Sequence, residues 1–215
     1  MEGLALGVIA SGFGEAAPSD LRRNKGWIGT LLERELGAVG GAQAEPDFPA
    51  LGVELKTIPV NDKGVPTSST WVSLADIDLR VSRWEDSWAR RKLSRVLWVP
   101  VITPKGSSPG ERCIGRPLLW SPTAVQDALL QQDWDEHMEL LGLGAFWQID
   151  ATRGNALQLR PKAAKGSDTQ WALSDDGEWV RAQPKGFYLR RTFTRDVLAG
   201  GIAREQGIAD DTKTR

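Results

Sequence analysis

The chain has 215 residues, 40% of them hydrophobic, with 27 Lys+Arg against 28 Asp+Glu and a formal net charge of -1. This is enough to bury a core in one compact domain or two small lobes, and it excludes a globally basic nucleic-acid binder. A single cysteine, Cys113, and a single histidine, His137, exclude an intrachain disulfide and a four-ligand Cys/His zinc site. No charged-then-apolar leader and no apolar run of spanning length is visible, so a cytoplasmic protein is expected.

Taken in order, Leu4, Leu6, Val8 and Ile9 suggest a short helix. Trp27, Ile28, Leu31, Leu32 and Leu36 repeat at helical spacing and predict a helix over 27–36, closed by Gly37. Glu33 falls off that stripe, either a solvated helix residue or one available to a site. After a Gly/Ala-rich turn and Pro46-Asp47-Phe48-Pro49, Val53 to Ile58 reads as a strand. Side chains alternate along a strand, so Glu54, Lys56 and Ile58 share one face while Val53 and Leu55 share the other.

Thr70–Leu74 reads as the returning strand of a hairpin-like pair, residues 84–94 as a helix, and Val96–Ile102 as a central buried strand. Leu118–Trp120 is another short strand. Ser121-Pro122 then predicts the cap and first turn of a long helix, with Leu130, Trp134, Met138 and Leu141 as its stripe and His137 on its surface. Ala145–Asp150 and Ala156–Arg160 suggest a β-hairpin, and residues 163–183 a polar, mobile segment. Lys185–Arg190 is a final strand or turn, followed by a short helix from Thr194. Residues 200–215 lack an apolar pattern and are expected to form a flexible tail.

Two features bear on function. Nine Lys+Arg face three acids from Arg80 to Arg116 (+6), and nine face five from Ala151 to Asp196 (+4). These are either a positive surface or charges spread over several solvated faces. The second feature is the stretch Asp47 to Lys56. An aspartate ahead of Glu-x-Lys on one strand face suits a Mg²⁺-dependent nuclease, because hard oxygen ligands favour Mg²⁺ and the lysine can hold an attacking water. The same Glu-x-Lys is also what a solvated face with a weak ion pair looks like. Both readings remain open on the residues alone. The ten tryptophans read as core or interface residues, with base stacking as the alternative.

The runs Asn24–Gly29 with Leu31–Glu33, Asp47-Phe48, Leu51–Val60, Arg95–Pro100, Pro117–Pro122, Leu159–Ala164 and Gly186–Leu189 resemble the DNA mismatch repair endonuclease MutH family, in family order from about Lys25 to Phe193. The resemblance implies a restriction-endonuclease-like α/β fold: a mixed sheet flanked by helices, one nuclease domain with two lobes forming a DNA cleft. It implies Mg²⁺-dependent nicking of the unmethylated strand at hemimethylated GATC by a monomer, stimulated by MutL after MutS finds a mismatch. By resemblance, Asp47 and Glu54 are the metal acids, Glu33 a further site acid, Lys56 the water-positioning lysine and Lys92 a second lysine needed for activity. Arg160, Pro161, Lys162 and Tyr188 match positions touching the GATC site, and Lys25 and Gly26 match a loop close to DNA. The chain departs from the family at Ser68 and Trp71, where Glu and Phe are usual, and the resemblance leads one to expect a later start with a shortened leading helix. The rival expectations are a GATC restriction enzyme cutting both strands and a non-catalytic methylation-reading protein.

Overall fold

The structure, a computed structural model, describes residues 1–39, 45–75, 83–145, 149–162 and 169–212. In chain order its elements are α1 (Leu6–Gly12), α2 (Trp27–Leu36), β1 (Glu54–Val60), β2 (Thr70–Leu74), α3 (Trp88–Leu93), β3 (Val96–Ile102), β4 (Cys113–Ile114), β5 (Leu118–Trp120), α4 (Ala124–Gly142), β6 (Leu157–Pro161), β7 (Gln170–Leu173), β8 (Trp179–Ala182), β9 (Lys185–Leu189) and α5 (Arg191–Thr212). The chain divides into two compact units, one of Met1–Ser68, Arg95–Ser121 and Arg195–Arg215, the other of Ser69–Ser94 and Pro122–Thr194. Among the described residues no helix is long and apolar enough to cross a membrane.

The first unit is built on a mixed sheet. β1 and β3 run parallel, pairing Glu54 with Val96 through to Val60 with Ile102. β4 and β5 both pair antiparallel with β3. β3 is therefore central, as its apolar run predicts, and both its faces are covered. Leu55, Val99 and Val101 pack with Leu6 and Ile9 of α1 and with Leu31 and Leu32 of α2. On the opposite face, Ile58 and Trp98 are buried, and Trp98 meets Trp120 at 6.3 Å between ring centroids. Burying side chains of this size contributes roughly 1.5–3 kcal/mol each. The helix-flanked mixed α/β sheet that the resemblance implied is present.

The second unit carries a separate antiparallel sheet in the order β2-β9-β6, with β7 and β8 forming a hairpin. Its scaffold is α4, whose stripe Leu130, Trp134, Met138 and Leu141 is buried as expected. Asp133, on the same side, is 1% exposed and holds the start of β6. Its carboxylate accepts the N–H groups of Asn155, Ala156 and Leu157 at 2.6–2.9 Å. Such a group of charge-assisted bonds fixes the strand's entry.

Several expectations need correction. Thr70–Leu74 does not return along β1; it pairs with β9. Pro59 and Pro66 lack the donors that a continued ladder beside β1 would need, and the pairing stops at the Val60–Pro66 bridge. The long helix starts two residues after Pro122, because Thr123 and Gln126 form a reciprocal capping box. His137 is buried, not on the surface; its Nε2 lies 3.2 Å from the Leu157 carbonyl, which can only accept, so the nitrogen donates. Of the strand expected over Ala145–Asp150, residues 146–148 lie outside the described residues, and β6 takes β9 as its partner instead. The polar stretch 163–183 contains the β7–β8 hairpin, its residues 163–168 lying outside the described residues. The terminal helix is long, reaching Thr212, and residues 213–215 of the expected tail are likewise not described.

Candidate active site

The acids of the first unit are assembled by a short fold-back. Phe48 and Val53 exchange backbone hydrogen bonds across the 3-10 turn Pro49–Leu51. The turn closes at Gly52, whose φ of 61° suits glycine. This brings Asp47, seven residues earlier in sequence, alongside the start of β1. Asp47 Oδ2 accepts the Leu55 N–H at 2.8 Å. Asp47 is 8% exposed and Glu54 2%. Lys56 Nζ donates to Glu54 Oε1 at 2.5 Å, with both side chains largely enclosed. The shared strand face read from the alternation is therefore real, and the weak solvated ion pair is not what occupies it. Burying two carboxylates is costly unless they are paired or hold a cation, which makes the cluster a candidate for chemistry.

Glu33 lies on α2, half-buried, with Oε1 turned back toward Gly29. Its helix packs against β1 through Leu31 and Leu32. Lys92 lies in the last turn of α3, in the second unit, beside Arg90 and Arg91; Ser87 caps that helix by accepting the Arg90 N–H at 3.1 Å. Thus Asp47, Glu54 and Lys56 are brought together within one unit, while Lys92 belongs to the other.

Could the acids hold a metal? No group of three or more His, Cys, Asp or Glu side chains with metal-holding geometry occurs among the described residues. Mg²⁺ is commonly bound through one or two carboxylates, its other positions filled by water and phosphate oxygens. Asp47 and Glu54, linked through the Leu55 amide, are hard oxygen donors that fit this pattern.

The second constellation lies on the β2-β9-β6 sheet. Leu157, Leu159, Phe187 and Leu189 form its buried face, at 0–1% exposure. The alternate positions Gln158, Arg160, Gly186 and Tyr188 form the other face, with Arg160 opposite Gly186 and Gln158 opposite Tyr188. Trp71 joins it from β2, opposite Tyr188. Trp71 and Tyr188 meet edge to face at 5.1 Å. The Arg160 guanidinium stands 5.3 Å over the Tyr188 ring and donates to Ser69 Oγ at 2.9 Å. Lys162 Nζ stands 4.1 Å over the Trp71 ring. Partial burial raises the Tyr188 pKa, an effect the nearby Arg160 charge opposes, so the phenol stays a neutral donor and acceptor at physiological pH. Pro161 is exposed at the end of β6. Arg160, Lys162 and Tyr188 are therefore neighbours, and Ser69, Trp71 and Gly186, which the sequence does not single out as site residues, join them. The strand alternation of β9 was the available signal for Gly186.

Lys25 is exposed in the turn leading to α2, and Gly26 is that helix's N-cap with φ of 86°.

Comparison with known proteins yields one family and several relatives. Residues 36–133 match the family model described as "DNA mismatch repair enzyme MutH"; that span includes Asp47, Glu54, Lys56 and Lys92. The chain is 46% identical over 199 residues to the DNA mismatch repair protein MutH of Shewanella sp. (strain ANA-3), covering 92% of this chain and 89% of that protein. It is 45% identical over 197 residues to the protein of the same name from Pasteurella multocida (strain Pm70), covering 91% and 89%.

Proposed function

The chain belongs to the MutH family of DNA mismatch repair enzymes, and from that premise we propose that it is a Mg²⁺-dependent endonuclease nicking the unmethylated strand at hemimethylated GATC. In this reading it acts in the cytoplasm as a monomer, stimulated by MutL after MutS has found a mismatch. The observation that carries the hydrolytic part is the enclosed Asp47–Glu54–Lys56 cluster.

Phosphodiester hydrolysis needs a nucleophile, relief of phosphate charge and a stabilised leaving oxygen. Asp47 and Glu54 would hold the Mg²⁺. When bound, the ion lowers the pKa of a water and offsets charge on the phosphate. The protein's own residues supply the rest. The Leu55 amide fixes the Asp47 carboxylate, and Lys56 Nζ, anchored to Glu54, would orient the attacking water by donating a hydrogen bond. Lys92 would add positive charge at the phosphate, Glu33 would serve as the further acid, and Lys25 and Gly26 would meet the DNA backbone.

Site reading is assigned to the other constellation. The adenine amino group N6 lies in the major groove, so a close contact there can reject a methyl group. Arg160, Pro161, Lys162 and Tyr188 would make that contact.

The test is an end-labelled duplex carrying one hemimethylated GATC, each strand labelled in turn. The expected product is a single cut, in the unmethylated strand, that requires Mg²⁺. Equal cutting of both strands would instead favour a restriction enzyme. No cutting, with binding retained, would favour a non-catalytic reader.

A further inference from the structure

Gly186 sits at the middle of the aromatic and cationic face, opposite Arg160 on β6 and two residues before Tyr188 on β9. β2 carries an irregularity between Trp71 and Ser73, so that Trp71 faces Tyr188 while Ser73 faces Phe187. An extra residue of this kind bends a strand and re-aims the neighbouring side chain. Here the Trp71 indole lies over the β9 backbone at Gly186. A Cβ at position 186 would stand 2.5 Å from Trp71 Cη2, closer still to Cζ3, and 3.2 Å from the Ser73 carbonyl oxygen. Real Cβ atoms do not come so near a ring, so any side chain at 186 must displace the indole. The φ of Gly186 is not in the left-handed region. The glycine is therefore required by close approach and not by backbone conformation.

What rests on the indole gives this consequence. Its edge-to-face contact sets the Tyr188 ring, and its face carries Lys162 Nζ. Tyr188 in turn lies beneath Arg160. We propose that Gly186 is a positioning residue for site recognition: its missing side chain seats Trp71, and Trp71 sets the spacing of Tyr188, Lys162 and Arg160. The inference rests on the reading above that these three residues meet DNA. Displacement by an ångström in a recognition frame is costly, because the contacts that discriminate bases are directional.

The experiment measures Mg²⁺-dependent nicking rates on a GATC duplex and on a duplex with one base of the site changed. The rate ratio is compared in the wild type, Gly186→Ala, Trp71→Phe and Gly186→Ala/Trp71→Phe. Circular dichroism and a urea midpoint are recorded for each. Gly186→Ala is expected to lower the ratio about tenfold while remaining folded. The double variant is expected to restore it to the Trp71→Phe value, because a phenyl ring stops short of the Cζ3–Cη2 edge. If Gly186→Ala does not fold, the test passes to Trp71→Phe against the double variant, where equal ratios are expected and a further loss overturns the proposal. An unchanged ratio in a folded Gly186→Ala also overturns it. A wild type with no preference for GATC overturns the underlying reading instead, so the two failures are distinct.

Discussion

The two constellations differ in how their groups are held. Around Asp47, Glu54 and Lys56 the side chains are enclosed, and directional hydrogen bonds at 2.5–2.8 Å fix them. Around Arg160, Lys162 and Tyr188 the two cations are exposed and the phenol half-buried, held by ring edges and by cations lying over ring faces. Contacts of the first kind tolerate little displacement, whereas exposed cation–π contacts contribute only about 0.5–1 kcal/mol each and can be exchanged for contacts to a ligand. Hydrolysis needs a fixed geometry before substrate arrives, and reading needs groups that can trade partners. Under the proposed function the contrast is a division of labour, which substitutions can test.

The largest effect is expected at the enclosed cluster. Lys56→Ala or Asp47→Ala should reduce nicking about a thousandfold or more, with duplex binding, followed by anisotropy, largely kept. Retained turnover in either would remove the proposed centre. Next comes the scaffold of the β2-β9-β6 sheet. Asp133→Ala strips several backbone N–H groups of their shared acceptor, at a cost of about 3 kcal/mol, read as a lower urea midpoint. Arg160→Ala should leave the fold intact and lower the ratio of nicking on GATC to nicking on a one-base variant about tenfold or more. Lys162→Ala should weaken binding several-fold at all sequences and flatten the dependence of log K on log salt by about one unit.

The smallest effect concerns pH. Burial lowers the pKa of His137 from its ordinary 6.5, against the opposing pull of the Leu157 carbonyl and nearby acids. Below about 6.5 the unfolded chain binds a proton at this residue that the folded chain refuses. His137 therefore costs no stability above that value and a growing amount as pH falls from there to the lowered folded pKa. Urea midpoints between pH 7.5 and 5 should decline less in His137→Gln than in the wild type; parallel curves would refute this.

Much of the candidate centre's geometry is legible in the sequence because it is local. Glu54 and Lys56 share a strand face by alternation alone, and Leu55 had to point into the core. Asp47 was legible only in type and order, since the turn at Pro49–Gly52 decides whether it folds back on Leu55. The apolar run of β3 and the stripe of α4 were likewise readable, being periodic over many residues. What failed was long-range pairing: β2 and β6 both join β9, more than a hundred residues from β2, and no local pattern encodes that choice. His137 failed for a related reason. It lies on the buried stripe of α4, but a polar residue there is admitted only because the Leu157 carbonyl, from a distant strand, meets it.

The most direct test is a supercoiled plasmid with one GATC, prepared unmethylated, hemimethylated and fully methylated, incubated with Mg²⁺ and either the wild type or Lys56→Ala. The account predicts nicked circles from the first two substrates with the wild type, none from the third, and none from any with Lys56→Ala. Nicking by Lys56→Ala at the wild-type rate, or by the wild type with Mg²⁺ chelated, would contradict it.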